Sequence, residues 1–319
     1  MPFITPEVLI LSNRHDFSAD YVAAALFDRG VSYLRLNSED LPHMEVTMFP
    51  ERQELVGHSN ALEFQVNARH LRSIYFRQPV FLRECSGQSL TAEDQMIRTQ
   101  WAAFMRSVVI FDQQRWINHP KETYAAEIKP YQLLTAKRLG FSIPETVVAN
   151  TTKNTAYTPQ EDIVLKSLDT LIVRDRGQEA FAYSTVLQMA SLGASDMASS
   201  PAILQEYIRP KRDIRVTVVG ASVFAVEIVA DGRGVEGDWR LMKDTVRFLP
   251  TKLPQNVEES CVEVTRAFGL IFGAIDLAES NGDYFFLEIN PTGEWAWLTA
   301  TLNLPIDEAI ANCLAEECK

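Results

Sequence analysis

The sequence predicts an α/β protein with more than one domain. The chain has 319 residues, of which 46% are hydrophobic and 23% are charged, and this composition is close to the average for soluble globular proteins. A domain commonly takes about 100 to 200 residues, so the length predicts two or three domains. Apolar segments with strand and helix periodicity alternate along the whole chain. The formal net charge of −12 argues against a nucleic-acid-binding surface as the main function.

The first segment has the pattern of a βαβ unit. A continuous apolar run at Val8–Leu11 predicts a buried strand, and Ser18–Arg29 predicts a helix that Gly30 ends. Val31–Leu36 predicts the second strand. The turn at residues 12–17 lacks the glycines that let a backbone approach a pyrophosphate, so no dinucleotide site is expected there.

No targeting or membrane-spanning segment is evident in the sequence. The first residues do not combine a basic stretch with a long apolar one, which a secretion signal would require. The most apolar window, Val216–Ala230, is too short for a membrane span and contains Glu227. We therefore expect a cytoplasmic protein that does not bind membranes. Since no CxxC or HExxH motif is present, zinc is not expected either.

A long helix is predicted before the end of the first domain. After a stretch of strand character at residues 73–83, Thr91–Asp94 has the pattern of a capping box that begins this helix. Its apolar residues recur at helical spacing, which predicts that they are buried against the first domain. These residues are Ile97, Trp101, Phe104, Val108 and Phe111. Trp116–Pro120 interrupts the pattern, so we place a domain boundary there.

Two further segments with strand and helix patterns follow this boundary. The middle segment predicts a helix at Pro130–Leu139, ended by Gly140, and then strands at Thr146–Ala149 and Asp162–Lys166. The last segment is predicted to open with a strand and to continue with two long strands separated by the turn residue Gly220. These strands are Ala202–Gln205, Ile214–Val219 and Val223–Val229.

Three oxygen-bearing side chains near the C-terminus form the most informative pattern. Asp276 ends one apolar run, and residues 278–283 contain a hairpin turn that leads into the next. Glu288 and Asn290 are two positions apart on that next strand, so their side chains point to the same face. Three oxygen donors would then converge, which suits magnesium. The alternative is that residues 290–293 are only a turn and Glu288 is a solvated edge residue.

Charged residues also stand at the ends of other predicted elements. Lys166 ends a strand and Lys129 stands at the entry to a helix, and each alone is typical of a surface lysine. The segment Leu204–Ile208 reads as an apolar hinge before a strand of alternating charge. On that strand Asp213 and Arg215 share a face.

In order and approximate spacing, these residues resemble the ATP-grasp ligases over nearly the whole chain. Three segments resemble more closely the ATP-grasp peptide maturases that make microviridin-type graspetides, namely Trp116–Pro120, Asp238–Arg240 and Asn290–Trp297. The resemblance implies an ATP-grasp fold, with ATP held between the last two of its three domains. These are an N-terminal α/β (pre-ATP-grasp) domain at 1–118, a central lysine-bearing domain at 119–201 and a C-terminal metal-binding domain at 202–319.

The resemblance also implies a role for each matching residue. Lys129 and Lys166 would contact the ATP phosphates, and Asp276, Glu288 and Asn290 would hold two magnesium ions. The remaining ATP-binding residues would be the hinge that hydrogen-bonds the adenine, the ribose ligand, and the side chain below the ring. They are Glu206, Tyr207 and Ile208 in the hinge, Asp213 at the ribose and Leu287 below the adenine.

Two arginines would act on the reacting groups. Arg215 and Arg240 would stabilise the charge that develops on the transferred phosphoryl group and on the acyl phosphate. For Arg240, an ion pair with Asp238 or another carboxylate is the alternative. The peptide substrate would contact Asp238, Arg240, Glu294 and Trp295.

One segment departs from the wider superfamily. After Lys166, residues 167–177 lack the glycine-rich loop that many ATP-grasp enzymes place over the phosphates. Arg174 and Arg176 either replace that loop by direct charge contact or belong to a solvated basic loop.

The resemblance implies an enzyme that joins Asp or Glu side chains of a ribosomal precursor peptide to Thr, Ser or Lys side chains, as esters or amides, through an acyl phosphate. The peptide's leader would bind near Val229–Leu249, and the enzyme would form a homodimer. One alternative is a ligase of the same fold that adds a free amino acid to a peptide or small carboxylate. Another is an ATP-binding regulatory protein without catalysis. The intact set of Asp276, Glu288 and Asn290, together with Arg215, argues against it.

Overall fold

The structure is a computed structural model of the chain. It describes residues 3–316 except for 60–61, 79–90, 154, 156, 170–171, 176–177, 182–183, 194–196, 231–232 and 235–244. No helix within these described ranges is long and apolar enough to cross a membrane.

The first part of the chain forms a parallel sheet and a second, largely antiparallel sheet. Its elements in chain order are β1 (Phe3–Ile4), β2 (Val8–Ser12), α1 (Phe17–Asp28), β3 (Tyr33–Asn37), β4 (Glu45–Phe49), β5 (Glu54–His58), β6 (Glu63–Asn67), β7 (Ser73–Phe76), α2 (Ala92–Ser107) and β8 (Arg115–Ile117). The parallel sheet has the order β3-β2-β7-β8, and the other has the order β1-β6-β5-β4.

The βαβ prediction for the first segment is confirmed. β2 and β3 pair in parallel, and the residues Val8–Leu11 of β2 are fully buried, as expected for a parallel strand covered on both faces. The helix between them begins at a residue that the sequence analysis did not assign. Asp16 is its N-cap and accepts a hydrogen bond from Ala19 N at 3.1 Å.

Helix α2 begins as predicted but is buried less than predicted. Thr91 is its N-cap and forms a capping box with Asp94. The helix ends at Ser107, and Val108–Phe111 form a 3₁₀ turn. The expected burial of Ile97 is wrong, since it is 40% exposed. The most buried residues of this segment lie at the C-terminal end of the helix and in the 3₁₀ turn. They are Met105, Val108 and Phe111.

The middle part of the chain forms an antiparallel sheet. Its elements are α3 (Pro120–Ala126), α4 (Lys129–Arg138), β9 (Thr146–Ala149), β10 (Asp162–Lys166), β11 (Ile172–Asp175), β12 (Gln178–Phe181), β13 (Thr185–Gln188) and β14 (Ala202–Glu206). The sheet has the order β13-β10-β14-β9, with β11 and β12 paired separately. The expectation that Ala202 opens the last domain is wrong, because β14 hydrogen-bonds between β10 and β9. The chain leaves this sheet after Glu206.

The last part of the chain forms the sheet that carries most of the candidate site. Its elements are β15 (Arg212–Val219), β16 (Ser222–Ala230), β17 (Arg233–Gly234), β18 (Val246–Thr251), α5 (Gln255–Ala267), β19 (Phe272–Ser280), β20 (Asp283–Asn290), α6 (Ala296–Leu302) and α7 (Ile306–Ala315). The strand order is β17-β16-β15-β19-β20, with β18 beside β16. The predicted hairpin between β19 and β20 is confirmed, and Asn281 and Gly282 at its turn both have positive φ.

The first and last parts of the chain share a core. Buried residues of α1 and α7 belong to one hydrophobic cluster with β2 and β7, and Ser73 Oγ donates to Leu314 O at 2.7 Å. At the predicted boundary segment, the Asn118 side chain is 2% exposed. It donates to Phe272 O and Pro291 O, both at 2.8 Å. The carboxyl end of the chain therefore folds back onto the first sheet.

Candidate functional site

A cleft lies between the middle sheet and the last sheet, and residues of both sheets line it. Its walls come from β10, β13 and β14 on one side and from β15, β16, β19 and β20 on the other. The residues of the sequence prediction that line it are Lys166, Glu206, Tyr207, Ile208, Asp213, Asp276, Leu287 and Glu288.

Three charged side chains form a row across neighbouring strands beside this cleft. Arg215 on β15 is directly opposite Asp276 on β19, and Asp276 is directly opposite Glu288 on β20. Residues directly opposite in an antiparallel pair have Cβ atoms about 4.5–5.5 Å apart on one face. Arg215 Nη1 donates to Asp276 Oδ1 at 2.8 Å. A cation and two carboxylates are thus held next to each other by strand register.

Asn290 lies on the same strand face as Glu288 but outside the cleft lining. It is opposite Ala274, and its Oδ1 accepts a hydrogen bond from Thr292 N at 2.9 Å. This contact is the side-chain turn that Asn often forms at the end of a strand. The three expected oxygen donors therefore share one face of the hairpin, with Asp276 and Glu288 in the cleft and Asn290 beyond its edge.

A β-bulge places two consecutive residues of β20 in the cleft. Asp276 pairs with Glu288 while Leu277 pairs with Phe286, so Leu287 is the extra residue. Strict alternation would point Leu287 away from Glu288. Because the bulge interrupts this alternation, both side chains line the cleft. An apolar surface and a carboxylate are thereby presented side by side.

The two expected phosphate-binding lysines are close to each other. Lys129 is the first residue of α4, and its Nζ donates to Ser167 O at 3.1 Å. Ser167 directly follows Lys166, which lines the cleft at the end of β10. The helix and the strand thus bring two cations to the same end of the cleft.

Lys211 is a site residue that the sequence analysis missed. It lines the cleft, and its Nζ lies 2.6 and 2.5 Å from the two carboxylate oxygens of Asp213. Side-chain exposure is only 10% for Lys211 and 11% for Asp213. Its position two residues before Asp213 could have indicated this role, because residues two apart in an extended segment lie on the same face.

Arg215 is held in a tight, buried position. Its side chain is 6% exposed, and its Nε has no hydrogen-bond partner among the described residues. A Cβ atom added to Gly293 would lie 2.8 Å from Arg215 Nη2 and 2.6 Å from Ala274 Cβ. The glycine therefore lets the loop after β20 pack directly against the guanidinium. A buried donor without a partner is costly.

The two residues expected to contact a peptide in the loop after β20 differ in their surroundings. The side chain of Glu294 is 60% exposed, and its oxygens accept from Arg77 Nη2 at 2.6 Å and Ser18 Oγ at 2.9 Å. Trp295 is fully buried, and its Nε1 donates to Tyr75 Oη at 3.3 Å. The expected substrate contact by Trp295 does not fit this structure, because its side chain belongs to the core shared with the first sheet.

The carboxyl group of Glu127 is partly buried and lies near this loop. Gln78 connects the two, since its Nε2 donates to Glu127 Oε2 at 3.4 Å and its Oε1 accepts from Thr292 Oγ1 at 3.3 Å. Burial raises the pKa of Glu127 above its usual value, the hydrogen bond from Gln78 partly offsets this, and the charge of Asp169 adds to it. Glu127 therefore keeps its proton to a higher pH than a solvated glutamate.

Several predicted residues lie outside the described part of the chain. Asp238, Arg240 and Arg176 fall in the ranges left out, as does most of the expected leader-binding segment. Arg174 lies on β11, opposite Glu179, and its side chain is not described. Of the two expected catalytic arginines, Arg215 lies in the described part of the chain and Arg240 does not.

The comparisons with known proteins agree with this architecture. Residues 163–314 match the model of the RimK-like ATP-grasp domain. The structure of a Chryseobacterium gregarium RiPP-associated ATP-grasp ligase, in complex with ADP and a leader and core peptide, matches with a TM-score of 0.83 and 24% identity, covering 98% of this chain and 96% of that one. The chain has the fold of the ATP-grasp ligases.

Two further structures share this ATP-grasp fold. The macrocyclase MdnC from Microcystis aeruginosa MRC, bound with the precursor peptide MdnA, has a TM-score of 0.80 and 21% identity, covering 96% of this chain and 98% of that one. The ATP-grasp ligase PsnB, complexed with a phosphomimetic variant of its minimal precursor, Mg and ADP, has a TM-score of 0.76 and 18% identity over 98% of both chains. A search of curated proteins finds no match to this sequence.

Proposed function

We propose that this chain is an ATP-dependent ligase that closes macrocycles in a ribosomal precursor peptide. It would join an Asp or Glu side chain to a Thr, Ser or Lys side chain through an acyl phosphate. The observation that carries the proposal is the row of Arg215, Asp276 and Glu288 beside a cleft between two sheets. Relatives of the same fold support it, since one was solved with ADP, leader and core peptide and another with its precursor.

The side chains of the cleft suit the different parts of ATP in different places. Apolar side chains from both walls, including Ile208, Ile228 and Leu287, suit the adenine. Lys211 and Asp213 stand where hydrogen bonds to the ribose can form, and Lys129 and Lys166 stand at the phosphate end. In this arrangement the γ-phosphate would point toward Arg215 and the two carboxylates.

Magnesium is implied by the fold, and the residues present fit it. Two carboxylates and one amide oxygen on one sheet face are hard donors, and magnesium commonly takes one or two carboxylates with phosphate and water as its other ligands. Among the described residues, no group of three or more His, Cys, Asp or Glu side chains is placed to hold a metal ion. Asp276, Glu288 and Asn290 would hold the ion, which when bound neutralises phosphate charge.

The chemistry consists of two substitutions. A carboxylate oxygen of the peptide attacks the γ-phosphorus, the bond from phosphorus to the β–γ bridging oxygen breaks, and ADP leaves. A hydroxyl or amine of the same peptide then attacks the acyl carbon and loses its proton, and phosphate leaves. Arg215 would donate from its buried guanidinium to the phosphoryl oxygens as their charge changes.

Intact-mass analysis of peptides incubated with the protein, ATP and magnesium tests the proposal. The first candidates are short reading frames adjacent to the gene. Each ring closure removes one water, about 18 Da, while ATP becomes ADP and phosphate. A ladder of such losses is the expected result, and fragmentation then separates esters from amides. A mass gain equal to an amino-acid residue would replace the proposal with a ligase that adds free amino acids, and ATP binding without turnover would indicate a regulatory protein.

Variants on the β19–β20 hairpin test the assignment of the carboxylates. We expect Asp276→Asn and Glu288→Gln each to lower magnesium-dependent ADP release roughly a hundredfold or more, since charge complementarity to the phosphates supplies most of the rate. Asp283→Asn is the matched control, because it changes an exposed carboxylate on the same hairpin, at the start of β20. Normal turnover in both site variants would show that these residues do not hold the metal.

A further inference from the structure

A buried glutamine on helix α4 holds the backbone of the strand that carries the oxygen donors. Gln132 is 2% exposed. Its Nε2 donates to Ile289 O at 2.9 Å, and its Oε1 accepts from Ile289 N at 3.1 Å. The same Nε2 donates to Ala126 O at 2.5 Å. One side-chain amide thus satisfies both polar groups of a single strand residue and also the end of helix α3.

Ile289 is the residue between Glu288 and Asn290. Its side chain is 2% exposed and packs into the core on the opposite face of the sheet. On one side β20 pairs with β19 through Ile275, and in the described part of the sheet β20 is the outermost strand. Gln132 therefore takes the place that a neighbouring strand would fill at this position. A change in the Ile289 backbone would move the donors on both sides of it.

Gln132 also connects this strand to a phosphate-binding lysine. It stands three residues after Lys129 on α4, and residues three apart on a helix lie on the same face. The helix that presents Lys129 is thus bonded directly to the strand that presents Glu288 and Asn290. We propose that Gln132 is a positioning residue that sets the placement of the magnesium donors relative to Lys129, and so couples magnesium binding to nucleotide binding.

A purely structural role makes a different prediction. Any buried strand edge needs hydrogen-bond partners, so loss of Gln132 would destabilise the fold in either case. A positioning role requires in addition that magnesium binding weakens while nucleotide binding without metal is kept. Groups that hold metal ligands in place by hydrogen bonds commonly contribute about 10–100-fold to metal affinity. Because this inference rests on the proposed function, its test measures ADP binding to the full chain with and without magnesium.

The test is calorimetric titration of ADP into Gln132→Met at increasing magnesium concentrations. Methionine matches glutamine in length but removes both bonds to Ile289. We expect ADP affinity without magnesium to stay within about threefold of wild type and the magnesium concentration for half-maximal enhancement to rise about tenfold or more. Gln132→Glu, which keeps an acceptor for Ile289 N and loses the donor, should show the same shift if Gln132→Met does not fold. Hydrogen exchange of the Ile289 amide should accelerate in Gln132→Met, which removes its acceptor.

Thr135→Val is the matched control on the same helix, since the Thr135 hydroxyl is buried without a described partner. It should leave the magnesium dependence unchanged. The inference is overturned if the Gln132 variants show the magnesium dependence of this control, or if their ADP affinity falls equally with and without magnesium. If the wild-type chain binds ADP with no magnesium enhancement at all, the proposed function fails first and this inference falls with it.

Discussion

Single residues set the geometry around Arg215 in this protein. The guanidinium lies against Gly293 on one side and Asp276 on the other, with little room for movement. The place of Asp276 in the site could be predicted from the sequence, because the hairpin that brings it next to Glu288 joins residues close together in the chain. The contact with Gly293 could not, because it depends on how the loop after β20 packs over β15.

At Gly293 a single methyl group would collide with the site. We expect Gly293→Ala to lower turnover about tenfold or more and to cost about 1–3 kcal/mol in the free energy of unfolding, as overpacking commonly does. The added Cβ would require Arg215 and Ala274 to move apart. Steady-state ADP release and denaturant unfolding measure the two effects.

The control for this variant is Gly282→Ala in the β19–β20 turn. An added Cβ meets nothing within 4 Å there, and the backbone has φ +92°. Alanine at that φ is strained by roughly 1–2 kcal/mol, so this variant should lose stability and keep its turnover. Equal losses of turnover in both variants would show that the Gly293 effect is only one of stability.

At the scale of elements, prediction succeeds where the determining contacts are local. The capping box at Thr91 and Asp94, the Asn281–Gly282 turn and the ends of β9 and β10 all depend on residues within a few positions of each other. The bulge at Leu287 has no such signal. It depends on which residue of β19 pairs with which residue of β20.

The capping box predicts a pH dependence for the start of helix α2. Hydrogen bonds from the Thr91 hydroxyl and backbone lower the pKa of Asp94 below its usual 3.8. The stabilisation is therefore present above that pH and is lost as the pH falls through the lowered value. We expect first-turn amides of α2 to lose protection below this range.

Thr91→Ala should exchange these first-turn amides about fivefold faster near neutral pH, the size usual for loss of an N-cap. It should also remove the change at low pH. Hydrogen exchange corrected for intrinsic rates provides the measurement. Thr99→Ala is the control on the same helix, since the Thr99 hydroxyl donates to Gln95 O within the helix and takes no part in the capping box. An unchanged acid response in Thr91→Ala would contradict the capping explanation.

At the scale of the whole molecule, the last part of the chain is built into the first. Helix α7 packs with α1 and the parallel sheet, and Trp295 inserts between them next to Tyr21 and Tyr75. Arg77, at the end of β7, donates to Thr292 O at 2.9 Å and is almost fully buried. The loop after β20 is therefore anchored on the N-terminal sheet.

Trp295 distinguishes a core role from a substrate role. Because it is fully buried, we expect Trp295→Ala to lower the free energy of unfolding by about 3–5 kcal/mol. Trp295→Phe, which keeps most of the apolar volume, should lose less stability and should leave KM for the peptide unchanged. Denaturant unfolding and peptide kinetics together decide the matter. A higher KM at normal stability would restore the substrate contact that the family resemblance implies.

The sequence by itself determined the elements of this protein and the chemical types of its candidate site. Continuous apolar runs, capping residues and turn glycines act over a few positions, so β2, α1, the β15–β16 hairpin and the β19–β20 hairpin were readable without coordinates. Lys166, Glu206, Asp213, Asp276 and Glu288 likewise line one cleft.

Only the tertiary structure decided which side chains touch. Three contacts join residues far apart in the chain. They are the pairing of Arg215 with Asp276, the packing of Trp295 against Tyr75 and the hydrogen bond from Gln132 to Ile289. Such contacts depend on strand register and on the packing of whole elements, and a one-residue slip in register would turn every side chain to the other face. No local pattern encodes that choice, because it is made by the core as a whole.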